Sequence, residues 1–515
     1  MKHTLLGKNF TPPDVLSKVT GKAKYAGDIR LDNLHYARIL RPPALDSKLI
    51  SVDFRAAEAV AGVKVIQEDD FIAILHTYPE EAERALKKVK AEWQTPPSEL
   101  NEKTIFEHLR KNYSSSQTGD ERGNLKSGAA ESDKVITSTF LDGYVAHAPM
   151  EPHAATATME GGRLIIWAST QNPFGLKSEV ARSLGLSENN VLVKQVFVGG
   201  GFGGKSRNGQ AVEAAKLAQL SKLPVQVAWS RQEEFMYDHY RPAAVVEITS
   251  GMTKSGEMKL WDYGVYFAGS RGSDMWYNIP HHRVQSFGQG RGEPRVQPLN
   301  TGSWRAPANN TNSFARESQI NIMAANIGMD PVEFRLKNLI DPRMIRTLKA
   351  CADKFGWEPI SSPSGKGFGV ACGTDAGTYV AEMAEVEVDR KTGEVKVKRV
   401  VCVQDMGIVI NPQGATLQVE GCINMGLGYT LKEDIQFNGG AVENKSFAKY
   451  DIPKFSWTPE IETVLLDLPD EPAQGGGEPA IVVMGGLIAN AIFDAVGARL
   501  YQLPMTPERV LQAMA

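Results

Sequence analysis

Read for hydrophobic period, the chain alternates between strand-like and helix-like stretches from its first hundred residues onward. Residues 34–40 and 63–76 are apolar and extended in character, and Glu68-Asp69-Asp70 breaks the second into a predicted hairpin. Residues 79–93, PEEAERALKKVKAEW, place Ala82, Leu86 and Val89 on one face, with acids early and lysines late, which predicts an amphipathic helix. Apolar residues then thin out over 94–133. That stretch reads as a linker with one short helix, Ile105–Lys111. Strands are predicted at 136–144 and 163–169, and helices near 176–184 and from Ala211.

Further on, Thr311 or Asn312 is placed to cap a helix carrying Ile320, Met323 and Ala324, which Gly328 stops. Asp330-Pro331-Val332-Glu333 starts the next helix with a cap, a proline at its first position and an acid at its third. Residues 381–404 alternate as a hairpin turning at 390–393, and Asp405 to Gly407 with Asn411-Pro412 break the run. Residues 417–430 and 487–500 are predicted helices, the first with glycines at 421, 426 and 428 for close packing.

One stretch departs from this regular punctuation. In VLVKQVFVGGGFGGKS, from Val191 to Ser206, an apolar β-branched run ends in five glycines within six residues, so a buried strand is expected to run into a loop that grips a ligand with its backbone. Gly199 to Ser206 satisfies the G-x-x-x-x-G-K-[ST] phosphate loop, and Gly199, Gly201 and Gly204 satisfy G-x-G-x-x-G. Asp405 is the tolerable candidate for the magnesium aspartate such a site needs. From the residues alone, a nucleotide loop, a structural glycine turn and another backbone-bound ligand all remain open.

Charge narrows the classes. With 57 Lys plus Arg against 60 Asp plus Glu, the 515-residue chain has no basic excess to attract nucleic acid or anionic lipid. At 42% apolar content it is an ordinary globular sequence of roughly two to four domains. The longest apolar run, 480–493, is too short to span a bilayer, and the first residues do not form a signal peptide, so a cytoplasmic protein is expected, with export to the periplasm alongside a partner as the alternative. Four cysteines without a C-x-x-C argue against a zinc site or iron-sulfur cluster held by this chain alone; buried reduced thiols are expected. His147 and His153 flank Glu151, but the prolines at 149 and 152 exclude a helix presenting two ligands, and a packed turn is the expected role. Arg305, in the proline-broken loop GSWRAPANN, and Glu478, between three glycines and Pro479, are each solvated loop charges when taken singly.

Taken together, ten pieces change that reading. They are GKAKYAGDI from Gly21, AHAPMEP around His147, TQN at 170–172, GGGFGGK at 199–205, WRAP at 304–307, FARESQINIMAANIGMDPVEFRLKNL, VQDMGIVINP, LQVEGCINMGLG, GGGEPA and NAIFDAVGARLYQLP. In this order they resemble the molybdenum-binding large subunit of the xanthine dehydrogenase and aldehyde oxidase family, over most of the chain from about Lys18 to Val510. The resemblance demotes the phosphate-loop reading and implies an α+β fold. A small hammerhead-like α/β domain (1–95) and a linker (96–133) would precede an elongated molybdopterin-binding α+β domain in two subdomains, 134–345 and a truncated 346–515.

It also implies that Glu478 is the catalytic base and that Gln171 hydrogen-bonds an oxygen on molybdenum. The amides of Gly201, Phe202 and Gly203 would lie against the cofactor, Arg305 would line the metal pocket, and Gln418 would touch the pterin. The cofactor would be molybdopterin or its cytosine dinucleotide, with the metal held through the pterin and not by side chains. Electrons would leave to a [2Fe–2S] cluster on a small partner subunit. The substrate would be an aldehyde or an N-heteroaromatic.

Three departures accompany the resemblance. Ser206 stands where xanthine-oxidising relatives carry a purine-binding glutamate, so xanthine is not expected as substrate. An E-M-G-Q-G-like pterin-wrapping segment is missing, because GFGVACG at 367–373 runs almost directly into the hairpin. In relatives resembling isoquinoline or nicotinate oxidoreductases that segment is permuted to precede the GKAKYAGDI region. A further chain is therefore expected to supply it; the alternative is a catalytically silent scaffold or assembly subunit. The first domain is also abbreviated.

Overall fold

A computed structural model describes residues 4–288, 295–358 and 365–515. The architecture is α+β, with three main sheets and helices packed between and against them. In the seven-stranded sheet the order is Val191–Lys194, Arg163–Ala168, Ala154–Glu160, Val225–Ala228, His35–Ile39, Phe71–His76, Lys64–Glu68. His35–Ile39 pairs in parallel with Val225–Ala228, so strands from the first 95 residues continue the sheet that carries the glycine loop. The hairpin around Asp69 and Asp70 forms as the acidic break indicates.

The second sheet runs Gln502–Leu503, Lys134–Asp142, Ala244–Met252, Met258–Tyr266, His281–Phe287, Ser116–Arg122. The third runs Lys366–Asp375, Thr378–Val388, Val395–Asp405, Glu460–Leu466. Its two central strands are the expected hairpin, turning at 389–394.

Several sequence-based expectations are corrected. The helix expected over 79–93 ends as Pro79–Leu86, and Lys90–Gln94 is a strand paired with Lys48–Asp53. Ala91 and Trp93 are half-buried between exposed Lys90, Glu92 and Gln94, so a period of two takes over from the helical one. Residues 96–133 are more than a linker. Besides Ile105–Lys111, which forms as expected, they contribute the helix Leu125–Ala130 and the edge strand Ser116–Arg122, whose wholly exposed residues left no hydrophobic signal. The strand before the glycines is not a buried one. Val191–Lys194 is a half-exposed edge that stops four residues short of Gly199.

Asn411-Pro412 does more than break a strand. Asn411 caps Gly414 N–H and Pro412 opens the helix Pro412–Leu431, five residues earlier than expected. The last long helix is Met484–Val496, closed by Gly497 at φ 78°.

The helix Asn309–Asn326 organises what lies around the site. The sequence places its cap at Thr311 or Asn312, but the helix begins at Asn309 and is buried from there through Ala324, polar residues included. Those side chains are consumed by tertiary hydrogen bonds, as burial requires. Asn310 Nδ2 donates to Arg305 O at 2.7 Å, Asn312 Nδ2 to Arg271 O at 2.9 Å, and Asn309 Nδ2 to Asp375 Oδ1 at 2.8 Å. Glu317 takes Arg335 Nε at 3.0 Å and Cys372 N at 3.1 Å. Met484–Val496 crosses this helix closely, because Gly486 has no Cβ to meet Glu317 Cβ at 2.7 Å. All four cysteines are buried and unpaired.

Glu382 is the buried group with the poorest company. It is fully buried in Thr378–Val388, neither carboxylate oxygen has a nitrogen or oxygen donor, and the Cys402 thiol across the ladder is a weak substitute. Burial raises its carboxyl from 4.5 to about 8. The folded state therefore holds this proton more tightly than the unfolded state, and stability is lost as pH rises from the unfolded value toward about 8. Glu382→Gln is expected to stabilise the chain at pH 8 by roughly 2–4 kcal/mol and to change little near pH 4. Denaturant unfolding at both pH values checks this; equal effects at the two would contradict it.

Candidate active site

Five segments separated in sequence meet through a continuous path of hydrogen bonds. The loop after Arg163–Ala168 presents Gln171, whose own N–H is fixed to Lys205 O at 2.8 Å. Gln171 Oε1 accepts Gly203 N–H at 3.0 Å, which sets the amide's orientation and leaves its Nε2 hydrogens available. Phe202 O accepts Arg305 N–H at 2.8 Å. The Arg305 guanidinium then donates from Nη2 to Gln418 Oε1 at 2.8 Å, and to Gly477 O from Nε at 3.0 Å and Nη2 at 2.5 Å. Glu478 follows directly, at the N-terminal edge of Pro479–Val482. Gln171, the Gly201–Gly203 loop, Arg305, Gln418 and Glu478 are thus brought together.

The glycine loop is shaped for close approach. A Cβ on Gly201 would stand 2.4 Å from Gln171 Oε1, and one on Gly203, at φ 118°, would stand 1.9 Å from Ser303 O. The N–H groups of Gly200, Gly201 and Phe202 donate to no acceptor among the described residues. Three consecutive unbonded donors beside a free amide form a cradle for anionic or oxo acceptors. Of the amides expected against the cofactor, Gly203 N–H donates to Gln171 Oε1, and the neighbouring Gly200 N–H has no acceptor among the described residues.

Lys205, the lysine of the phosphate-loop pattern, points away from this cradle. It is 0% exposed and its Nζ donates to Glu151 O at 2.7 Å and Glu151 Oε2 at 2.8 Å. Glu151 Oε2 also takes Gly199 N–H at 2.7 Å, so the pair is a brace behind the loop. Burial lowers the Lys205 ammonium below its ordinary range, against the pull of Glu151. Asp405, the other half of that reading, lies in the third sheet and is engaged by Arg343 and Arg346. Neither Lys205 nor Asp405 is left to serve a nucleotide phosphate or its magnesium.

The histidines are braces too. His147 Nδ1 meets Asp238 Oδ2 at 2.9 Å and Nε2 meets Ser303 O at 2.7 Å, tying the AHAP turn to the loop before Arg305. Against its burial, Asp238 raises the His147 imidazole. His153 Nδ1 pairs with Glu234 at 3.0 Å. Among the described residues no three His, Cys, Asp or Glu side chains are grouped to hold a metal ion.

Two residues of the site escaped sequence reasoning. Arg271 Nη2 reaches Glu478 Oε2 at 3.1 Å and Asp375 Oδ2 at 2.7 Å, so the loop glutamate is tethered to a second carboxylate through one guanidinium. Burial raises the Asp375 carboxyl, with the Glu478 charge adding to it and Asn309 and Arg271 opposing. Arg271 sits in GSRGS, the same glycine-flanked setting that singled out Glu478, and that signal would have found it. Asp375 had none.

Residues 105–339 and 351–459 each match the family described as molybdopterin cofactor-binding domain. The chain belongs to the molybdopterin-binding subunits of the xanthine dehydrogenase family. Among curated relatives of this family, a nicotinate dehydrogenase subunit of Pseudomonas putida is 30% identical over 99% of this chain and 47% of its own length. The chain thus spans about half of that relative. The beta subunit of isoquinoline 1-oxidoreductase from Brevundimonas diminuta is 25% identical over 98% of this chain and 68% of the relative. Quinoline 2-oxidoreductase of Pseudomonas putida 86 shares the family fold at a TM-score of 0.87 and 17% identity, over 100% of this chain and 98% of that one.

Proposed function

We propose that the chain supplies one part of the active site of a molybdenum hydroxylase that oxidises an aldehyde or an N-heteroaromatic carbon with oxygen derived from water. The observation that carries the reading is the convergence of Gln171, Gly200 to Phe202, Arg305, Gln418 and Glu478, with three backbone donors and one amide left over for acceptors this chain does not provide. When bound, the molybdenum cofactor supplies two-electron redox chemistry and oxygen insertion at an electron-poor carbon. The chain's own residues place and deprotonate. Glu478 accepts a proton during oxygen transfer, held within reach by its glycine-bounded loop and by Arg271. Gln171 Nε2 and the free amides bind acceptor oxygens of the cofactor, and Arg305 fixes Gln418 and the Gly477 carbonyl so that Glu478 keeps its position.

The remaining part of the pterin cradle and the [2Fe–2S] centre that removes electrons come from polypeptide beyond these 515 residues. Exposed Phe174 and Leu417, at 85% and 61%, lie near Gln171 and beside Gln418 in sequence and, with the 39% exposure of Phe202 in the cradle itself, support an interface there. Among the described residues no helix is long and apolar enough to cross a membrane. A silent scaffold is disfavoured by the convergence of Gln171, Arg305 and Glu478, separated polar residues that a purely structural pocket has no need to bring together. Turnover of the assembled enzyme in ¹⁸O-labelled water tests the reading. The hydroxylated or carboxylic product should carry the label; label arriving only from ¹⁸O-labelled dioxygen would refute it.

A further inference from the structure

Asp375 stands at a tight turn packed against the loop that carries Glu478. It is the last residue of Lys366–Asp375 and pairs with Thr378 across Ala376 and Gly377, both in the left-handed region at φ 49° and φ 80°. Two successive positive φ values make the two-residue hairpin turn that follows the twist of its strands, and the alanine adopts its angle at a steric cost that a glycine would not carry. Strain of that kind persists where the surroundings fix it. Here the surroundings are the residues before Glu478: Gly475 N–H donates to Ala376 O at 3.2 Å, and Thr378 Oγ1 donates to Gly475 O at 2.8 Å. A Cβ on Gly377 would meet Gln474 Oε1 at 2.3 Å.

The arginine between the two carboxylates has its main chain fixed as well. From the helix Asn309–Asn326, Asn312 Nδ2 donates to Gly269 O and Arg271 O, each at 2.9 Å, and Arg316 Nη1 donates to Gly272 O. A single nitrogen, Arg271 Nη2, then spans Asp375 Oδ2 at 2.7 Å and Glu478 Oε2 at 3.1 Å. The two ends differ. The Asp375 side chain is 0% exposed and accepts Asn309 Nδ2 on its other oxygen at 2.8 Å, whereas Glu478 keeps 37% exposure. The shorter contact, shielded from water, is the anchor, and the longer, solvated one is what the anchor holds in place.

We propose that Asp375 is a positioning residue for Glu478, acting through Arg271 to fix the direction in which the Glu478 carboxylate points. The proposal rests on the hydroxylase reading above, in which Glu478 is the base, and adds the residue that aims it. Being fully buried, Asp375 touches no reacting atom. Without its charge the Arg271 guanidinium, 43% exposed, is free to turn to water, and Glu478 loses the donor that orients it. A base displaced by about 1 Å loses up to about 100-fold in rate.

Phenylglyoxal labelling of Arg271 in the purified assembly, read by peptide mass spectrometry, tests the anchor without turnover. Asp375→Asn, which keeps an oxygen for Asn309 and loses the charge, should speed labelling by about fivefold or more, and Glu478→Gln by less than about twofold, since the stronger contact is the buried one. With the substrate of the ¹⁸O experiment, Asp375→Asn should lower kcat by about 10–100-fold, with KM within about threefold and molybdenum content unchanged. Arg271→Gln, which leaves Asp375 its bond to Asn309, should lower kcat as much and gives the measurement if Asp375→Asn does not fold. On a Glu478→Gln background either change should cost less than about a further twofold, because a residue that acts through Glu478 alone has nothing left to position.

Unchanged Arg271 labelling in Asp375→Asn, wild-type turnover, losses that multiply on the Glu478→Gln background, or molybdenum lost from the variant each overturns the proposal. An assembly without molybdenum whose Arg271 labelling still depends on Asp375 refutes the hydroxylase reading and leaves the tether standing. Labelled product with independent losses from Asp375 and Glu478 gives the reverse.

Discussion

Glu478→Gln lowers turnover of the assembled enzyme by at least about 100-fold while molybdenum and pterin content stay at the wild-type level. Glutamine keeps the volume and can still accept from Arg271 Nη2, which now reaches Glu478 Oε2 at 3.1 Å. What it loses is proton acceptance. The backbone that positions the residue is anchored independently, because Arg305 holds the carbonyl of Gly477 through Nε at 3.0 Å. A positioning role and a base role therefore separate: loss of cofactor with the activity would mark Glu478 as structural, whereas loss of activity alone marks it as the base. Substrate binding by Glu478→Gln should be little changed, since the lost contribution arises in the transition state. Wild-type turnover in a molybdenum-replete variant would remove Glu478 from the mechanism.

Lys205→Ala is expected to be the most destabilising single change near the site. The side chain is 0% exposed and its partner Glu151 keeps 17% exposure, so removing the ammonium leaves a largely buried carboxylate with Gly199 N–H as its remaining partner. Breaking such a pair costs about 3 kcal/mol, the lower end of the buried range because Glu151 retains some solvent. The glycine loop should loosen with it, and cofactor content should fall. Combining Lys205→Met with Glu151→Gln should recover much of the stability, because the uncompensated charge goes and an amide oxygen can still accept from Gly199. Thermal unfolding of the single and double variants, with molybdenum content measured on each, checks this. A single variant as stable as wild type would show that the brace is not needed.

The same lysine shows why the chain had to be read as a whole. By pattern, Lys205 is a phosphate ligand, and nothing local to GGGFGGKS says otherwise; only Glu151, 54 positions earlier, turns it inward. Gln171, Arg305, Gln418 and Glu478 were legible because each lies in a short segment whose order along the chain is distinctive, although each is ordinary alone. The asparagines of Asn309–Asn326 were not legible as core, since polar side chains enter a core only through partners that sequence does not reveal, here Arg305 O, Arg271 O and Asp375. Lys90–Gln94 failed for a related reason: the helical pattern before it is strong, and the antiparallel partner that makes it a strand, Lys48–Asp53, lies about 40 residues away. Ser116–Arg122 carries no apolar signal at all and joins its sheet by backbone pairing with His281–Phe287.

We assign the donors left free around Gln171 and Gly200 to Phe202 to a molybdenum cofactor. Elemental analysis of the chain, purified with the subunits it assembles with and after removal of adventitious metal, tests it directly. Molybdenum stoichiometric with the chain, reduced sharply in a folded Gly201→Ala variant whose new Cβ crowds Gln171 Oε1, is the expected result. A folded, fully assembled complex that contains no molybdenum would contradict it.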